Sequence, residues 1–228
     1  MNLINSDTDK ALEKYFESIE QSAEITSNIA IDDLDSVVLA NYGAIKTGTD
    51  ISAQTPDQIK ALDDYLESYC NKVQGLFSGV AENTQGINSY YYCISPEISK
   101  NVHGFFYMKE GKTGLIEKAP LDVSNLTPSE QLGATWYDTA VDMGRPGWVG
   151  PYIFQKEWVY SYFVPIYKAG MLIGVLGMDI HCEILIDQVK DISIYDTGFV
   201  CLLDKDAKVI YHPDLPIISD LDELQLSV

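Results

Sequence analysis

The sequence predicts an α+β fold, a long N-terminal helix leading into an antiparallel sheet. Three observations carry this. Apolar residues recur at helical spacing from Leu12 to Val38 and again from Ile59 to Val80. From Tyr90 onward the apolar runs are short, rich in aromatic and β-branched residues, and divided by tight turns. These later runs follow one another as hairpins, without the strand–helix–strand alternation of a doubly wound sheet.

The first helix has Leu12, Tyr15, Phe16, Ile19 and Ala23 on one face and Glu13, Lys14, Glu17 and Glu20 on the others. Ser6 or Thr8 caps its start. The stripe continues past Ile29 to Leu34, Val37 and Val38, which predicts one continuous helix broken near Asn41–Gly43. Asp32, Asp33 and Asp35 read as its exposed face. A turn-rich stretch from Lys46 to Gln54 precedes a strong helix start, Thr55-Pro56-Asp57-Gln58, with a cap residue, proline at the first helical position and a capping-box Gln. Ile59, Leu62, Leu66, Tyr69, Val73, Leu76 and Val80 then form a heptad-like seam. The seam fits a dimeric coiled coil or packing along the first helix of the same chain. Its three heptads favour the second.

Tyr90-Tyr91-Tyr92-Cys93-Ile94-Ser95 predicts a strand ended by Pro96, His103 to Lys109 a second, and Leu115-Ile116-Glu117 a third. Residues 119–135 read as loop with a short helix at Pro128–Leu132, and Trp136–Ala140 as another short helix. Gly144-Arg145-Pro146-Gly147 reads as a turn. Trp158–Tyr167 and Met171–Ile180, joined at Lys168-Ala169-Gly170, predict a hairpin in the middle of the sheet. His181–Ile192 reads as helix, Gly198–Leu203 and Lys208–Tyr211 as strands of a second hairpin.

Fifteen Lys and Arg face 34 Asp and Glu, a net charge of −19 over 228 residues. Such a surface repels phosphate backbones and anionic lipid, which argues against nucleic-acid partners and membrane-surface docking. The longest apolar stretch, Phe163–Ile180, holds Pro165, Lys168, three glycines and Asp179, so it does not read as a membrane span. No leader is legible behind Met1, and a chain trimmed from a longer one reads the same.

Catalytic chemistry is not legible. His103, His181 and His212 are scattered, and no nucleophile elbow, P-loop or HExxH motif occurs. Gly170, Gly174 and Gly177 do not match a dinucleotide fingerprint and suit close sheet packing instead. Asp204 and Asp206 begin a calcium-loop ladder that stops after two positions, and Asn125-Leu126-Thr127 is a bare glycosylation sequon. Cys70, Cys93, Cys182 and Cys201 form no CxxC pair and read as buried small hydrophobes, with a Cys182–Cys201 bridge left open. No catalytic residue, metal or cofactor is expected. What stands out is an aromatic concentration near turns: Trp136, Tyr137, Trp148, Tyr152, Trp158, Tyr160 and Tyr162, side chains that make good walls for a small-ligand pocket.

In order along the chain, Trp136-Tyr137-Asp138-Thr139-Ala140, Gly147-Trp148-Val149-Gly150-Pro151-Tyr152, Tyr162-Phe163-Val164-Pro165-Ile166-Tyr167 and Gly174-Val175-Leu176-Gly177-Met178-Asp179-Ile180 resemble the double Cache family. These are extracytoplasmic sensor domains of bacterial chemoreceptors, histidine kinases and diguanylate cyclases. Gly198–Pro213, with Asp204-Lys205-Asp206 and His212-Pro213, resembles the opening hairpin of the family's membrane-proximal module. The resemblance implies a stalk helix over residues 1–45, a PAS-like ligand-binding module over 46–182, and the start of a second module, cut short, over 183–228. It implies a receptor domain at the cell surface or in the periplasm, reaching the membrane only through helices outside this chain. It also admits a homodimer through the N-terminal helices.

In the family's amino-acid-binding members an Arg two residues before the Trp-Tyr pair holds the ligand carboxylate, and this position is Ala134 here. An Asp two residues after the Pro-Tyr is replaced by Phe154. The last-strand Asp that holds the ligand ammonium is retained as Asp179. A carboxylate in an apolar strand favours a cation, and Trp136, Tyr137 and Tyr152 are placed to flank it. The expected site is therefore Trp136, Tyr137, Trp148, Tyr152, Tyr160, Tyr162 and Asp179, with Arg145 as a cation within reach. The expected ligand is an amine or quaternary ammonium; an amino acid, a carboxylate, or a ligand-free structural role are the alternatives. Core packing is the rival reading for Trp136 and Tyr137, and a backbone-capping role for Asp179.

Overall fold

The computed structural model describes residues 6–41, 54–111, 114–125, 135–154, 157–190, 192–194, 198–203 and 209–214. Two compact units divide it, Phe16–His181 and the described parts of 1–15 with 182–228. The turn-rich stretch before Gln54, the helix expected at Pro128–Leu132, Ala134, and Asp204 and Asp206 lie outside the described residues.

Helix α1 spans Ser6–Asp33. It does not run on to Asn41 as one rod. A separate helix α2, Ser36–Asn41, begins after Asp35, whose carboxylate accepts from the Val37 and Val38 amides at 2.8 and 3.2 Å. Asp35 is thus a helix cap, and Asp33 pairs with Lys72, so this acidic cluster is partly structural. Helix α3 spans Pro56–Asn83 with its capping box formed, Gln58 N donating to Thr55 Oγ1 at 3.2 Å and Thr55 N to Gln58 Oε1 at 3.0 Å. Its buried face is Leu62, Leu66, Tyr69, Cys70, Val73, Phe77 and Ala81, and Leu76 is exposed. The heptad seam drifts to a helical 3.6-residue stripe because α3 lies on strands β1 and β2, and it meets the end of α1 through polar contacts, Tyr69 OH donating to the Ala30 carbonyl at 3.2 Å and Lys72 pairing with Asp33.

The sheet has six strands, β1 (Ile87–Ile94), β2 (Gly104–Lys109), β3 (Leu115–Lys118), β4 (Gly147–Phe154), β5 (Glu157–Lys168) and β6 (Met171–His181), in the antiparallel order β3-β2-β1-β6-β5-β4. Helix α4 (Thr135–Met143) precedes β4. The expected β5–β6 hairpin forms inside the sheet. Strand β4 was not expected, since Gly150-Pro151 interrupts its pattern. It lies at the sheet edge, where a missing proline N–H costs no ladder bond.

Alternation assigns the two faces. Tyr90 and Tyr92 point to the α3 side, where Gln74 Nε2 donates to Tyr90 OH at 3.0 Å and Tyr69 and Tyr92 hydroxyls meet at 3.3 Å. Tyr91, Cys93, Phe106, Phe163 and Val175 point to the other side and pack with Trp136 and Ala140 of α4. Strand β1 is buried along its whole length, which explains three consecutive buried tyrosines.

In the smaller unit, α5 (Cys182–Val189) stops short of the expected Ile192. The segment expected as one strand divides into β8 (Gly198–Phe199), paired with β7 (Ser193–Ile194), and β9 (Leu202–Leu203), paired with β10 (Val209–Tyr211). Ile186, Val189 and Tyr211 form its core. All four cysteines are free thiols, and Cys201 is exposed rather than buried.

Candidate functional site

Asp179 lies on β6 among apolar neighbours and is 2% exposed. Register places Ser89 of β1 and Ser161 of β5 directly opposite it on its two neighbouring strands. Both serine hydroxyls donate to it, Ser89 to Oδ2 and Ser161 to Oδ1. Tyr91 OH donates to Oδ1 at 3.2 Å. Since the Ser161 hydrogen goes to Asp179, the Tyr152 hydroxyl, which bonds to Ser161 Oγ, is the donor of that pair. Among the described residues no cationic side chain pairs with Asp179. Burial lifts its carboxyl from 3.8 to about 6, against the opposing pull of the Ser161, Ser89 and Tyr91 hydrogen bonds. Burial, with Asp179 next, holds the Tyr91 hydroxyl well above its ordinary value, as it does Tyr152's, so both phenols stay donors.

Gly177 makes room for this arrangement. A Cβ there would lie 2.6 Å from Tyr91 Cε2. The Tyr91 ring is met by Trp136, centroids 4.2 Å apart at 38°.

The eight residues expected at the site divide. Asp179 and Tyr152 share one hydrogen-bonded group, and Trp136 joins it through Tyr91. Tyr137 packs edge-on against Trp136 at 5.6 Å, and its hydroxyl lies toward Ser95, past the far end of β1 from Ser89. Trp148, Tyr160 and Tyr162 lie on the opposite face. Trp148 Nε1 donates to Glu20 of α1 at 2.7 Å and Tyr162 OH to Glu24 at 3.3 Å, so these two rings seat α1 instead of lining a pocket with Asp179. Tyr160 follows Tyr162 by alternation. Arg145 is exposed in the α4–β4 turn. Ser89, Tyr91 and Ser161 were missed.

A cavity of about 240 Å³ opens elsewhere, between Ile94–Val102 and Leu121–Ser124, lined by Pro96, Lys100 and Asp122 among others. None of the eight expected residues lines it. Beside it Asp63 of α3 gathers His103 Nε2 at 2.8 Å, Asn101 Nδ2 at 2.6 Å and Ser99 Oγ at 3.3 Å, pinning the β1–β2 connection.

Residues 74–187 match the family described as methyl-accepting chemotaxis protein-like, first PDC sensor domain. The chain belongs to that family. As a PDC sensor domain of the chemoreceptor type it is a ligand-binding module and not an enzyme. Solved structures share its fold. The sensory domain of the Campylobacter jejuni chemoreceptor Tlp3 (CcmL) is 17% identical, with TM-score 0.50, over 90% of this chain and 66% of that one. The ligand-binding domain of the same receptor in complex with 4-methylisoleucine is 17% identical, with TM-score 0.51, over 92% and 69%. The extracellular domain of mmHK1S-Z3, assigned as a histidine kinase, is 16% identical, with TM-score 0.53, over 88% and 70%. The PDC sensor chain thus spans about two thirds of the length of these structures. Among its described residues no helix is long and apolar enough to cross a membrane.

Proposed function

We propose that this PDC sensor domain binds a small ligand through an ammonium group held by Asp179, outside the cytoplasm, as the sensing part of a membrane receptor. The observation that carries the reading is a fully buried carboxylate with hydroxyl partners and, among the described residues, no cationic partner. Its ionised form is penalised by burial, and an arriving ammonium would offset that penalty. The 4-methylisoleucine bound to the C. jejuni receptor carries such a group. Ala134, where an Arg would hold a ligand carboxylate, favours an amine over an α-amino acid.

Ligand occupancy would reach the membrane through α1. The Glu20–Trp148 and Glu24–Tyr162 bonds support this, because they tie α1 to the same strands that carry the site. Residues 183–228 then open a second, membrane-proximal module. Ile25 and Ile29 of α1, one turn apart and 62% and 44% exposed, favour pairing of two receptors through this helix.

Thermal-shift titration with matched amines, amino acids and carboxylates tests the reading. Amines should raise the melting temperature with a saturable dose dependence, and Asp179→Asn should abolish the shift. Silence across the panel would instead support a ligand-free structural module. An amine shift that survives Asp179→Asn would remove Asp179 from the site.

A further inference from the structure

We infer that Ser89 and Ser161 are specificity-determining residues, restricting the Asp179 site to ammonium groups that carry at least one N–H. This rests on the reading of Asp179 as the ammonium acceptor. An ionised carboxylate offers about four lone-pair directions. Three are taken among the described residues: Oδ1 accepts from Tyr91 and Ser161, and Oδ2 accepts from Ser89. Ser89 and Ser161 flank Asp179 from the adjacent strands, so they occupy its two sides within the sheet. One acceptor direction remains, on Oδ2. A primary, secondary or tertiary ammonium can fill it with a single N–H. A quaternary ammonium has no N–H to give and would leave that lone pair buried and unmet.

Quaternary cations are otherwise recognised by open aromatic faces. The Tyr91 and Trp136 rings beside Asp179 are engaged with each other instead, and Tyr152 joins the group through its hydroxyl on Ser161. Tyr91 lies between Gly177 and Trp136, and Trp136 takes the edge of Tyr137. The hydroxyls, rather than an aromatic box, therefore set the choice of ligand.

The test is an N-methylation series on one alkyl chain: n-butylamine and its N-methyl, N,N-dimethyl and N,N,N-trimethyl derivatives, titrated calorimetrically at neutral pH. The first three should bind within about threefold of one another, and the trimethyl compound at least roughly tenfold more weakly. A trimethyl compound that binds within about threefold of the dimethyl one overturns the inference while leaving the ammonium site standing. Binding by none of the four overturns both. In Ser89→Ala a second Oδ2 direction opens, so n-butylamine should gain relative to its dimethyl derivative. That ratio is internal to the variant and independent of any loss of stability. An unchanged ratio in the folded variant overturns the assignment of Ser89.

Discussion

Asp179 holds a proton more tightly in the folded chain than in the unfolded one, because burial lifts its carboxyl from 3.8 to about 6. Its contribution to stability is therefore full below about pH 4 and lost as pH rises through about 6. The gap between the two values corresponds to roughly 3 kcal/mol. Asp179→Asn removes the titrating charge while keeping the shape. Its melting temperature should match that of the parent near pH 4 and exceed it above pH 7 by roughly 6–12 °C, measured side by side across the pH range. A difference that does not change with pH would mean that the buried charge carries no such penalty. This residue was legible in the sequence because a carboxylate inside Gly-Val-Leu-Gly-Met-Asp-Ile is out of place on hydrophobicity alone. Its hydroxyl partners were not. Serine and tyrosine in strands carry no motif, and only cross-strand register turns Ser89 and Ser161 into neighbours of Asp179.

That register depends on one irregularity in the β5–β6 hairpin. At the turn, Lys168 pairs with Met171 and Tyr167 with Leu172, and continuing this count would set Tyr160 opposite Asp179 and Tyr162 opposite Gly177. A shift between Ile166 and Tyr167 inserts one residue, so Ser161 faces Asp179 and the two tyrosines turn to the α1 side. Strands β1, β2, β3, β5 and β6 and the capped start of α3 were readable from local pattern, whereas β4 and the start of α2 were not. The side on which each aromatic lies was not, because one bulge reverses it. The turn itself holds Ala169 at φ 52° and Gly170 at φ 80°, both positive as a type I′ turn requires. Gly170 adopts this without cost, whereas the Cβ of Ala169 meets its own backbone. Ala169 is exposed and free to change. Ala169→Asn, which tolerates the left-handed region, should stabilise the protein by about 0.5–1 kcal/mol. Thermal melting should register this as a rise of roughly 1–4 °C. No rise would show that the turn relaxes without the substitution.

At the scale of the whole molecule the dominant quantity is the charge of −19. Folding draws like charges closer than the unfolded chain does, so self-repulsion opposes the native state. Salt screens it, the Debye length falling from about 30 Å at 0.01 M to about 10 Å at 0.1 M. The melting temperature should therefore rise between these two salt concentrations, and more weakly from 0.1 M to 1 M, where the remaining repulsion is already short-ranged. The same field attracts a cation from solution, so the proposed affinity for n-butylamine should fall over the range in which stability rises. The opposite signs make the pair of measurements decisive. A general salting-out effect strengthens burial of apolar surface and would raise stability most between 0.1 and 1 M, without a matching loss of amine affinity. Stability and affinity that are both flat below 0.1 M would show that the acidic excess is too dispersed over the surface to build a field at either the core or the site.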